Sequence, residues 1–153
     1  MEPSIELLWQ LNYEYNTRLS RARTTIDLVE RLVAERGAPR ESPLRATLTY
    51  LHTQLTHFQQ AHRHWRYTFF YESPASKRVV QSDAAVRAAF SQFQHLHADQ
   101  QATLAQMWAS FSDLPRPDTR LTRVSTGDLW PLVHSAVSDL IEFDAYVEQL
   151  AAE

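Results

Sequence analysis

Apolar residues return at alternating steps of three and four along the first part of the chain: Ile5, Leu8, Tyr15, Leu19, Ala22, Ile26, Val29 and Val33, with Asn12 in register. That period collects them on one helical face. It predicts one long helix or two nearly collinear ones, with Pro3 in the first turn and Gly37 followed by Pro39 as the stop. The β-branched pair Thr24-Thr25 is either a break or a solvent-facing pair.

A second helix is expected from Ser42-Pro43, a cap followed by proline at the first helical position, to about Tyr71. Its stripe is Leu44, Leu48, Leu51, Leu55, Phe58, His62, Trp65 and Phe69. Ser73-Pro74-Ala75-Ser76 interrupts the pattern, and Ser82-Asp83 caps a third helix with the stripe Val86, Phe90, Phe93, His97, Gln100, Leu104, Met107 and Phe111. Prolines at 115 and 117 make residues 113–126 an internal loop, because proline lacks the backbone donor and restricts its predecessor. A last helix starts near Asp128, with Pro131 in its first turn, and carries Val133, Ala136, Val137, Leu140, Ile141, Val147 and Leu150.

Composition supports a helical globule. The 153 residues are 44% hydrophobic and include seventeen aromatics but only two glycines, too few for a sheet protein that turns every ten residues or so. The expected organisation is one domain over residues 1–153. There is no cysteine, hence no disulfide, thiol nucleophile or thiolate metal site. With no leader-like start and no run of eighteen apolar residues, a cytoplasmic protein without a membrane span is expected.

Charge is uneven. Residues 1–81 hold eleven basic and eight acidic side chains, whereas residues 82–153 hold four and ten. This balance runs against phosphate neutralisation, so direct sequence-specific DNA binding by this chain is not expected.

Seven histidines raise the question of metal. His52, His57, His62, His64, His95 and His97 form two groups, yet none is spaced as His-x-x-x-His or Glu-x-x-His on a helix. No metal or other cofactor is expected. There is likewise no Gly-x-Ser-x-Gly and no glycine-rich phosphate loop, so no enzyme is expected.

The strongest local feature runs from His62 to Glu72, with five aromatics within the seven residues from Trp65 to Tyr71. One helical face cannot hide them all, so part of the run faces a second surface, a cavity or an interface. The segment HWRYTFFYES, with SPLRATLTYLHTQLTHFQQA before it and VVQSDAAVRAAFSQFQHLHADQQATLAQMW after it, resembles the C-terminal regulatory domain of TetR-family transcriptional regulators. The last helix, GDLWPLVHSAVSDLIEFDAYV, is also similar to that family's final helix. The similarity spans about Ser42 to Leu150, and the family's helix-turn-helix is missing.

The resemblance implies an all-α antiparallel bundle of about five to six helices that binds a ligand and forms a homodimer through its last two helices. It implies a small apolar or aromatic ligand among the middle helices, lined by Trp65, Phe69, Phe70, Phe90, Phe93, His97, Gln100, Trp130 and His134. The competing expectation is a solid-core helical module for protein–protein interaction. His97 and Gln100 discriminate, because a solid core avoids polar groups on an apolar stripe and a pocket uses them.

Overall fold

A computed structural model describes residues 3–37, 40–73, 78–79, 82–112 and 126–152, and the side chains of residues 3–37, 40–69, 82–112 and 131–150. Four long helices run through them: α1 (Ile5–Glu35), α2 (Pro43–Trp65), α3 (Asp83–Ser112) and α4 (Thr126–Ala152). One π-helical turn, Arg66–Phe70, prolongs α2 and leads into a short antiparallel ribbon of β1 (Tyr71–Ser73) and β2 (Arg78–Val79).

The expectation of five to six helices gives way to four among the described residues, because neither of the first two stretches divides. Thr24 and Thr25 sit inside an unbroken α1 with side chains exposed or half-exposed, where β-branching costs little. Pro3 falls outside the helix, ahead of the Ser4 cap, whose hydroxyl accepts from Leu7 N–H at 3.1 Å. Gly37 closes α1 at φ 86°, a left-handed conformation that glycine adopts without steric cost, and donates to the Ala34 carbonyl. Ser42 and Ser82 cap α2 and α3 by accepting from Arg45 N–H and Ala85 N–H.

The start of α4 also differs from expectation. It begins at Thr126, so Pro131 lies inside the helix rather than in its first turn, and the Gly127 carbonyl lacks its usual donor four residues on. Residues 113–125 of the expected proline loop lie outside the described residues.

Cross-helix partners give the topology. Arg23 meets Gln59 and Asp27 meets His52, so α1 and α2 are antiparallel. Trp65 meets Ala89 while Tyr50 meets Gln106, so α2 and α3 are antiparallel. His97 meets Asp144 while Trp108 meets His134, and Arg18 meets Asp139 while Tyr15 meets Phe143, which sets α4 antiparallel to both α3 and α1. Each helix has two sequence-adjacent or end-to-end neighbours in a ring, and α1 and α3 touch across the diagonal.

Each predicted stripe from Leu8 to Val33, Leu44 to Trp65 and Val86 to Phe111 faces the centre. Burying each Leu, Ile, Val, Phe or Met side chain of these stripes stabilises the fold by about 1.5–3 kcal/mol before entropy is counted. Leu11 and Phe143 join this core as well. No helix among the described residues is long and apolar enough to cross a membrane.

Candidate functional site

All four helices place polar groups in the middle of the apolar core. Tyr15 comes from α1, His62 from α2, His97 and Gln100 from α3, and Asp144 from α4; all five are buried. They occupy stripe positions, where the helical period aims the side chain inward whatever its polarity.

Two pairs organise the cluster. The Tyr15 hydroxyl donates to Gln100 Oε1 at 2.5 Å, joining α1 to α3 across the diagonal. His97 Nδ1 meets Asp144 Oδ1, joining α3 to α4. In a neutral ring, a proton on Nδ1 donated to the carboxylate leaves the Nε2 lone pair as an acceptor.

Aromatic rings pack round these pairs. Tyr15 stacks on Phe143 at 5.4 Å and meets His97 edge-on at 4.4 Å. Phe93 lies 4.4 Å from His97 and 4.9 Å from Trp65, measured between ring centres. The Trp65 indole N–H donates to the Ala89 carbonyl at 2.9 Å, which fixes the ring's orientation.

The cluster is incompletely satisfied. Both nitrogens of His62, His97 Nε2, Gln100 Nε2, Asp144 Oδ2 and, alongside, Asn12 Oδ1 have no hydrogen-bond partner among the described residues. A buried polar atom without a partner costs about 1–3 kcal/mol, and natural cores hold only a few per hundred residues. Burial, then the neighbouring Arg66 and His97, push His62 down to a pKa of about 3 and keep the imidazole neutral. Burial and the Asp144 charge raise the Tyr15 phenol well above its usual value, against the opposing Gln100 hydrogen bond.

The cluster adjoins the surface between α3 and α4. A groove of about 270 Å3 there is lined by His95, His97, Gln101, Asp144, Val147 and Glu148, among others. A second groove of about 250 Å3 shares Gln101, Asp144 and Glu148 with the first. Asp144 therefore connects the buried cluster with the outer seam.

Of the residues expected to line a ligand site, Trp65, Phe93, His97 and Gln100 converge here. Phe90 is buried about one turn before Phe93, and Phe69 packs half-buried against the core from the π turn. His134 is exposed and packs edge-on against Trp108 at 4.6 Å. It lies roughly 15 Å along α4 from Asp144 at 1.5 Å per residue. The Phe70 and Trp130 side chains are outside the described residues.

Tyr15, His62 and Asp144 were not among the expected site residues. Their signal was nevertheless present: Val137, Leu140, Asp144 and Val147 follow one another by three, four and three, so a carboxylate occupies a core position.

A separate cluster joins Asp27 and Glu30 of α1 to His52 of α2. His52 Nδ1 lies 2.7 Å from Asp27 and 3.6 Å from Glu30, and three ligand atoms fall within 4.8 Å of one another. Spacing on one helix could not reveal it, since two helices contribute. All three side chains are partly solvated, and Arg31 and Arg45 line the adjoining groove, which fits a surface ion cluster.

Compared with known proteins, the chain matches no family model, no curated protein and no solved structure.

Proposed function

We propose that this chain is a non-enzymatic sensor module, a helical bundle that takes a small ligand at its central polar cluster, as the resemblance to TetR-family regulatory domains suggests. The observation that carries the reading is the concentration of unpaired polar atoms of His62, His97, Gln100 and Asp144, from three of the four helices, in one otherwise apolar core. A ligand that pairs with those atoms removes their desolvation penalty and so favours the helix arrangement that admits it. The aromatic walls suit an apolar body, and the unpaired atoms require that it also carry hydrogen-bonding groups.

A specific observation favours the solid-core reading. Phe93 is 0% exposed, and Gln100 and His97 already bond to Tyr15 and Asp144, so the side chains fill much of the centre themselves. In that case the bundle acts through its surface alone.

A thermal-shift screen separates the two when run on the wild type and on a Tyr15→Phe/Gln100→Leu double variant. Replacing both partners of a hydrogen bond by apolar groups of similar shape is close to neutral, so the variant is expected to fold. The sensor reading expects compounds that raise the wild-type melting temperature and act more weakly on the variant. The absence of any stabilising compound, or equal shifts in both proteins, supports the solid core.

Pairing of two copies through α3 and α4 belongs to the same proposal. Exposed Ala102, Ala105 and Leu132 and half-buried Trp108 and Ile141 supply small and apolar surface, and a groove of about 500 Å3 runs past Trp108, Ser138 and Ile141. Sedimentation at micromolar concentration is expected to give a dimer; a monomer removes the pairing and leaves the ligand reading intact.

A further inference from the structure

The polar end of the α3–α4 seam says which kind of ligand suits the site. Its groove is lined by two carboxylates, Asp144 and Glu148, and none of the lining residues is lysine or arginine. Among described side chains after residue 82, Arg87 is the one basic residue other than histidine, and it does not line the groove. Low-dielectric walls bearing charge of one sign concentrate the opposite charge between them.

Hydrogen-bonding capacity points the same way. Asp144 is 4% exposed, and its Oδ2 has no partner among the described residues while Oδ1 is taken by His97. His97 also lines the groove, and its Nε2 has no partner among the described residues. Glu148 accepts from Gln101 Nε2 at 3.1 Å through Oε2 alone, so its carboxylate keeps further acceptor capacity. The unmet carboxylate oxygens at this seam are lone-pair acceptors. They call for N–H donors.

Resting on the sensor reading above, we infer that the α3–α4 groove binds a small organic ammonium cation, its N–H groups held by Asp144 Oδ2 and Glu148 and its apolar part lying along Ala98 and Val147. A primary ammonium offers three donors on one charge, and a charge-assisted hydrogen bond is roughly twice as strong as a neutral one. A groove of about 270 Å3 sits at the small end of ligand sites, so the cation is fragment-sized.

Isothermal titration with butylammonium and 1,4-diaminobutane, beside 1-butanol and butyrate at matched ionic strength, tests this on the full chain. The two amines are expected to bind with Kd below about 1 mM, and the alcohol and carboxylate at least about tenfold more weakly. Glu148→Gln, at an exposed position, and Asp144→Asn are each expected to weaken amine binding at least about tenfold. Circular dichroism shows whether Asp144→Asn still folds, and Glu148→Gln carries the test if it does not. Butanol or butyrate binding as tightly as the amines, no amine binding, or amine binding unchanged in Glu148→Gln overturns the inference. Hits from the broader screen that depend on Tyr15 and Gln100 but carry no cation overturn it while leaving the sensor reading in place.

Discussion

Phe93→Ala is expected to lose about 3–5 kcal/mol of stability, the cost typical of deleting a fully buried phenylalanine. Phe93 has no exposed surface and its ring meets Tyr15, His62, Trp65, His97 and Phe143, which come from all four helices. Removing it takes away packing between α3 and each of the other three helices at once. It also leaves a void beside polar atoms that already lack partners, where entering water would recover part of the cost. Small domains total about 5–15 kcal/mol, so the urea midpoint should fall by about a fifth or more with little change in slope. A loss under about 1 kcal/mol would mean that Phe93 does not join the helices as described.

Acid is the second large lever. His62 has a folded-state pKa near 3 against an ordinary value of 6.5, so between those limits the unfolded chain binds the proton and the folded one does not. Stability contributed by this group is therefore intact above pH 6.5 and falls as pH drops towards 3, by up to about 1.4 kcal/mol per pH unit. By pH 3.5 the loss is on the order of 4 kcal/mol. Other groups titrate in the same range, and Glu30, whose carboxyl is raised chiefly by burial, contributes with the opposite sign above its unfolded value. Comparison with His62→Leu cancels them. The gap between the two unfolding free energies should shift by this amount between pH 7 and pH 3.5, in the variant's favour. Parallel pH profiles would show that the imidazole is solvated or already paired.

Much of this was legible in the chain itself. Stripes of Leu, Val and Phe at steps of three and four locate the inner faces of the first three helices, and Ser42-Pro43, Ser82 and Gly37 mark ends through local hydrogen bonding that needs no tertiary context. The continuity of α1 was not decidable, because β-branched residues are neutral enough for packing to overrule them. Nor was the π turn, which leaves no composition signal distinct from the aromatic run that contains it.

The site was legible in part. Placing His97 and Gln100 on the inner face of a helix needs only its period, but finding Asp144 opposite His97 needs the pairing of α3 with α4. The Tyr15–Gln100 bond spans 85 positions in sequence and depends on the whole bundle. The resemblance groups His134 with the site, and its position three turns away on α4 follows once the register with Trp108 is fixed.

The most direct measurement of the central claim is nitrogen-15 NMR of the histidine side chains, with and without a compound that stabilises the protein. Without it, His97 Nδ1 should appear bonded to a carboxylate, and His62 should stay neutral well below pH 6. Added to saturation, the compound should move the ring resonances of His97, or of His97 and His62 together, while those of exposed His57 and His64 stay in place. A stabilising compound that leaves both buried rings unchanged would contradict the assignment of the central polar cluster as the ligand site.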